Sequence, residues 1–374
     1  MYKKESEIDA FSLAVLSFLL LMLTYFPVIS PTLDYFHADD SRLFAQLAIV
    51  YRDGTFFNFI FDPAFFKFRP IANAQYLLEY AIFGGNLSLW ILYNILLLSF
   101  ACYLFIKLLE KRIAIFPLLL LLLLFIFSKF ITYACWNLTG SFEALGLVLF
   151  LSILSVFGME NLKLRSYLFI FLSLALILTS ERYLPFVVLV PLLLYLSDSL
   201  IRRKQFFTYV AISCTVVVAY LFMRYMLSVP LIVGTQTDNV LESFNFARLC
   251  FHFAKALGEM FGFNFGPTYL TGYEFPLWVP VGQWSRGAHS MLGLSVLAVI
   301  SNLWLYFKAA TKAKSYYLNA ALIVLAFAAS VTFRLEIRWL APCYVALLLM
   351  IASNYNVDVK ANNLLLCFAT VGSS

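Results

Sequence analysis

Charge is scarce in this sequence: Asp, Glu, Lys and Arg make up 12% of 374 residues, and the mean hydropathy is +0.88. So little polarity cannot cover the surface of a soluble globular domain, which leaves the class of polytopic membrane proteins. Histidine occurs only three times, and neither His252 nor His289 has neighbours at metal-site spacing. The six cysteines, at 102, 135, 214, 250, 343 and 367, include no CxxC pair and fall mostly in apolar segments. They read as small buried hydrophobes, which excludes a disulfide framework or a zinc site. There is also no internal repeat of the kind that builds paired transporter halves. Low-complexity linkers and separate soluble domains are likewise lacking, so residues 1–374 read as a single membrane domain. The formal charge of +6 is carried by short Lys/Arg clusters between apolar runs. That pattern sets topology; it is not a nucleic-acid footprint.

What is abundant is long apolar sequence with forty phenylalanines. Judged against the ~20 residues that cross ~30 Å of hydrocarbon, spans are expected at about 10–30, 88–107, 113–133, 140–158, 166–180, 183–198, 206–227, 290–307, 317–333 and 338–354. This gives an all-α polytopic fold of about ten transmembrane helices, or eleven if the closing LLLCFATVG begins another. The first run follows Lys3 and Lys4 as a signal peptide would, yet it has no small-x-small cleavage site and is long enough to span. With the N-terminus cytoplasmic, Lys107/Lys111/Arg112, Lys163/Arg165, Arg202/Arg203/Lys204, Lys308/Lys312/Lys314 and Lys360 all fall on the inner side, as the positive-inside rule requires. Loops 31–87 and 228–289 and the turns near 134–139, 180–183 and 334–338 then face outward.

The loop from Asp34 to Pro70 holds five of the twenty acidic residues, Asp34, Asp39, Asp40, Asp53 and Asp62, and ends in Arg69-Pro70. After Asp40-Ser41, the residues Leu43, Phe44, Leu47, Ala48 and Tyr51 recur at helical spacing until Gly54, which predicts an amphipathic helix lying along the membrane surface. A second interfacial helix is expected over Phe246 to Phe261, striped with Arg248, His252, Lys255 and Glu259. The spans at 166–180 and 183–198, at ~22 Å each, are short of the hydrocarbon core. Glu181 and Arg182 should therefore sit in a recess below the outer surface, and the same holds for Arg334, Glu336 and Arg338. Ionisable groups at that depth usually line a cavity.

Each of these groups has a plain structural role to weigh against a chemical one. One of Asp39 and Asp40 suits an N-cap. A cap does not account for Asp34, His37 and the other Asp, which suit a general base for an acceptor hydroxyl or, as a less complete alternative, ligands to a divalent cation. Arg69 could snorkel to lipid headgroups or hold a phosphate in a bidentate clamp fixed by Pro70. Glu181-Arg182 and Arg334, Glu336 and Arg338 could be self-paired turns. Their coincidence on the face that carries the aspartates favours a site for a phosphate-bearing lipid. Asn86 and Asn137 lie in sequons short enough to arise by chance.

The order of these features resembles the GT-C superfamily of integral membrane glycosyltransferases. It is a first span, an outward loop with paired Asp before a surface helix, Arg-Pro before the next span, a recessed Ser-Glu-Arg-Tyr, and a late Arg-x-Glu-x-Arg-Trp. Within that superfamily, the chain resembles in particular the bacterial enzymes related to the protein mannosyltransferase and O-antigen glucosyltransferase groups. The resemblance implies a polyprenyl-phosphate sugar donor, inversion, and a first-loop carboxylate as base. Carried onto this chain, Asp39 or Asp40 is the base, with Asp39 preferred, and Arg69, Arg182, Arg334 and Arg338 receive the donor phosphate, supported by Asp34, His37, Glu181 and Glu336. No large C-terminal soluble domain is present, so a glycan or lipid-linked glycan such as a lipopolysaccharide precursor is the expected acceptor. No metal or other cofactor is expected to be required, though a divalent cation is compatible. The implied location is a bacterial inner membrane, with the active site periplasmic. Three other classes are kept in view: a polymerase or ligase using pyrophosphate-linked glycans, a lipid-linked sugar transporter, and an O-acyltransferase that would depend on His252 or His289.

Overall fold

The computed structural model describes residues 10–29, 38–62, 68–110, 113, 115–136, 138–196, 203–229, 245–247, 249–250, 253 and 340–355. Their regular structure is helical, with no strand among the described residues. Helix α1 (Ala10–Ile29) lies against α5 (Leu87–Leu109), α5 against α8 (Ser141–Val156), and α8 against α9 (Leu162–Thr179). Helices α10 (Leu184–Leu196) and α11 (Arg203–Met226) pack on each other and on α9. Among the described residues, three helices are long and apolar enough to cross a membrane, Leu87–Leu109, Leu162–Thr179 and Gln205–Met226; Ala10–Thr24 and Ser141–Val156 are apolar but shorter. The core between them is built on fully buried aromatics, with Phe105 stacked on Phe125 at 5.3 Å and Phe150 edge-on to Phe186 at 5.7 Å.

Helix starts and stops follow local chemistry. Asn161 accepts from the Lys163 and Leu164 amides, both at 3.1 Å, and so starts α9. The helix therefore begins earlier than the apolar run expected at 166, and its 18 residues span about 27 Å. Its charged first turn is accommodated because Lys163 is exposed while Arg165 folds back on the Tyr209 hydroxyl at 2.8 Å. Asn86 caps α5 through the Leu89 amide, so this sequon asparagine has a structural role. Gly84, at φ +54, closes the preceding helix α4 (Pro70–Phe83) in a conformation that L-residues with a side chain disfavour.

One expectation is corrected. The single span predicted over 113–133 is two helices, α6 (Ile115–Ile126) and α7 (Lys129–Trp136). The break falls at Phe127-Ser128, where the Ser128 amide turns to Phe125 O and Ile131 bonds back to Ser128 O, the tighter spacing of a 3-10 turn. The opening-loop helix α2 (Ala38–Asp53) is present, and much of its apolar stripe packs on protein. Leu43, Leu47 and Val50 are buried in the core, Ala48 is exposed, and Phe44 packs on Trp90 at 5.1 Å and Tyr80 at 5.8 Å. Trp90 of α5 gives that stripe an aromatic surface to cover. After α2 a short helix, α3 (Phe56–Phe61), has no buried residue. It is tied to α4 by Asn73, which donates to Phe59 O and Ile60 O. Most of the second interfacial helix expected at 246–261, and the spans expected at 290–307 and 317–333, lie outside the described residues. Helix α12 (Ala341–Tyr355) packs on α6, α7 and α8 and stacks Tyr344 against Phe130 at 4.7 Å.

Candidate functional site

Arg69 is the N-cap residue of α4, held outside helical geometry at φ −133 with Pro70 at the first helical position. Its guanidinium makes a fork-to-fork pair with Glu181, Nε to Oε2 at 2.8 Å and Nη2 to Oε1 at 2.6 Å, although the two residues are 112 positions apart in sequence. Glu181 stands in a 3-10 turn, Glu181–Tyr183, between α9 and α10. Ser180 enters that turn in extended backbone at φ −160. The next residue, Arg182, turns the other way and donates Nη1 to Glu143 Oε1 at 2.7 Å. Both ion pairs are buried, with side-chain exposures of 13% and 8% for Arg69 and Glu181 and 8% each for Arg182 and Glu143.

Phe142 lies between the two pairs. The Arg69 guanidinium carbon is 5.4 Å from its ring centroid and that of Arg182 is 6.0 Å away, both within cation–π range. A third arginine approaches from α11. Arg224, 1% exposed, donates to the Tyr220 hydroxyl at 3.0 Å, and that hydroxyl reaches Phe68 O at 3.4 Å, next to Arg69. Short connections make α8 to α11 alternate in direction, so the starts of α8 and α10 and the ends of α9 and α11 share one end of the bundle. Lys107, Lys163, Arg165 and Arg203 sit at the opposite ends of their helices.

The electrostatics of the turn follow from this geometry. Burial would raise the Glu181 carboxyl, but the Arg69 charge and hydrogen bonds, joined by Arg182, outweigh it and hold the group at about 2. Arg69 keeps its charge despite desolvation because Glu181 and, further off, Glu143 favour the cation. Close packing fixes the turn. Gly146 faces Tyr183 so tightly that a Cβ there would overlap the phenol ring, and Tyr183 itself is 2% exposed.

Of the residues expected from sequence, Arg69, Glu181 and Arg182 are brought together. Glu181 and Arg182 are not paired with each other; each has a separate partner. Both guanidinium forks face carboxylates here, so Arg69 is not presented as an empty clamp. Asp39 and Asp40 stand in the first turn of α2, which packs against the 3-10 turn Leu138–Gly140 leading into Ser141 and Glu143. Their side chains lie outside the described residues, as do Asp34, His37, Arg334, Glu336 and Arg338 altogether. Helix α12 starts three residues after Arg338, and its Cys343 comes close enough to Tyr183 to act on it electrostatically.

Glu143, Arg224, Tyr220 and Phe142 were missed by sequence reasoning. The signal for the first two was present: each is an ionisable residue inside an apolar run, at the end assigned to the outer face. A groove of about 530 Å³ between α2 and α3, lined by Gln46, Ile49, Asn58, Phe61 and Asp62 among others, contains none of the expected site residues.

No protein-family model matches the chain, and neither a curated protein nor a solved structure is significantly similar to it.

Proposed function

We propose that the chain is a GT-C type integral membrane glycosyltransferase. In this reading it has ten to eleven spans, a cytoplasmic N-terminus and a site on the periplasmic face of a bacterial inner membrane. It moves one sugar from a polyprenyl-phosphate donor to a glycan or lipid-linked glycan. The observation that carries this reading is the meeting of Arg69 from the opening loop with Glu181 and Arg182 from the turn after α9. Buried guanidiniums at one end of an apolar bundle suit a ligand whose tail is in lipid and whose head is a phosphate. The placement of the Lys/Arg clusters at the other helix ends supports the orientation.

In the proposed reaction Asp39 takes the proton from the acceptor hydroxyl as that oxygen attacks the anomeric carbon. The bond from that carbon to the phosphate oxygen breaks, and polyprenyl phosphate leaves with the electron pair, inverting the centre. Arg69 and Arg182 meet the charge that develops on the leaving group. Glu181 and Glu143 hold the two forks in place beforehand, and the phosphate competes with them for the same N–H groups. Arg224 and the segment Arg334, Glu336 and Arg338 just before α12 are the further cationic candidates.

The test is a comparison of purified Asp39→Asn, Asp40→Asn and Arg182→Lys variants for sugar transfer. The reading requires Asp39→Asn to lose transfer by at least ~100-fold, the low end of general-base contributions, and Asp40→Asn to lose far less. Full activity of Asp39→Asn contradicts it and favours the polymerase or ligase class.

A further inference from the structure

Next to the arginine site, three polar side chains are buried close together. Gln75 and Glu79 lie one turn apart on the same face of α4, 7% and 2% exposed, and Ser141, fully buried, opens α8. Both side-chain atoms of the Gln75 amide, both carboxyl oxygens of Glu79 and the Ser141 hydroxyl have no hydrogen-bond partner among the described residues. Ser141 and Gln75 are nevertheless near enough to the carboxyl to ease its ionisation. Tyr93 of α5 is near enough to feel its charge.

No cation is on hand to neutralise Glu79 among the described residues of the elements packed on α4. On α2, Arg52 pairs with Asp53 and Arg42 is exposed; α3 carries no titratable residue; α5 offers Tyr93. On α9, Lys163 is exposed and Arg165 is bonded to Tyr209. Arg69 and Arg182 face Glu181 and Glu143. An ionised carboxylate with no cation beside it in an apolar interior is strongly disfavoured, whereas a neutral acid is itself a donor. A small rotation gives its O–H the Ser141 hydroxyl across the seam.

We infer that Glu79 is held as a neutral acid that latches α4 to the start of α8, and that its ionisation loosens this seam. The seam is shared with the arginine site. Arg69 caps the same helix four residues before Asn73, and Phe142 and Glu143 follow Ser141 directly, so slackening the latch moves Arg69 relative to Phe142. The inference does not depend on the reaction proposed above.

Burial raises the Glu79 carboxyl from 4.5 to about 8, tempered by Ser141 and Gln75. For a raised group the stabilisation is complete below the unfolded value and is lost as pH rises through the folded one, so the latch should release in mildly alkaline solution.

The experiment is difference infrared spectroscopy of the full chain in lipid nanodiscs, following the carbonyl stretch of a protonated carboxylic acid against pH. We expect a band that half-disappears near pH 8 and is missing in E79Q, with a melting midpoint that falls from pH 7 to 9 in the parent and stays flat in E79Q. Gln75→Met, which keeps the carboxyl and removes its neighbour, should move the half-point to higher pH. A band unchanged in E79Q, its absence from the parent at pH 7, or an unmoved half-point in Gln75→Met overturns the assignment. Sodium-dependent melting abolished by E79Q would make the cluster a cation site and would also overturn it.

Discussion

At the scale of residues, the account rests on two buried ion pairs that share one phenylalanine. Removing one member of such a pair leaves an uncompensated charge in the interior, a loss of ~3–5 kcal/mol, while replacing both with apolar residues of like volume is close to neutral. Arg182→Ala is therefore expected to destabilise the detergent-solubilised protein by about that amount, and the double change Arg182→Met with Glu143→Met to recover most of it in a thermal melt. Equal losses for the single and double variants would mean that the Nη1 to Oε1 contact at 2.7 Å contributes little. The Glu181 carboxyl, held at about 2 against 4.5, gives a signed pH effect. Its contribution is complete above pH 4.5 and lost as pH falls toward 2. Glu181→Gln should flatten that acid limb of the stability curve, and an unchanged limb would assign the loss to other groups. Arg69, Glu181 and Arg182 were legible because charge stands out in an apolar chain. Their pairing was not, since a contact across 112 residues leaves no mark in local spacing. Glu143 and Arg224 were overlooked for the opposite reason: a long apolar run makes one charge within it look like part of a span, although burial of such a charge is itself the clue.

Among the elements, the 3-10 turn Glu181–Tyr183 does most to shape the site, because it sends consecutive side chains to different partners. Its position is set by Tyr183 lying on Gly146 of α8. Gly146→Ala should cost ~1–3 kcal/mol by overpacking and should lower transfer activity more than it lowers expression, since Glu181 and Arg182 move with the ring. A variant with full activity and an unshifted melting midpoint would show that the turn is set elsewhere. Periodicity located α2 because Leu43 and Leu47 recur at helical spacing. It could not name what the stripe covers, because Trp90, the partner surface, belongs to a different segment. The break between α6 and α7 left only a small mark in hydropathy, the polar pair Ser128-Lys129 inside a long apolar run. The change of hydrogen-bond spacing at Ser128 that makes it two helices is a property of the backbone.

For the whole molecule, the claim is a bundle with one polar, arginine-bearing end facing outward and one Lys/Arg-rich end facing the cytoplasm. In a background with the exposed Cys214 and Cys250 replaced by serine, Asp62→Cys should react with a membrane-impermeant thiol reagent added to intact spheroplasts, and Lys163→Cys only after lysis. The reverse pattern would put the site in the cytoplasm. Chemistry is tested most directly by incubating the purified protein with a panel of polyprenyl-phosphate sugars, with and without chelator, and measuring polyprenyl phosphate released in the presence of a glycan acceptor. The account predicts release from at least one donor, unaffected by chelator and abolished in Asp39→Asn. No release from any donor, or release that Asp39→Asn leaves intact, would contradict it.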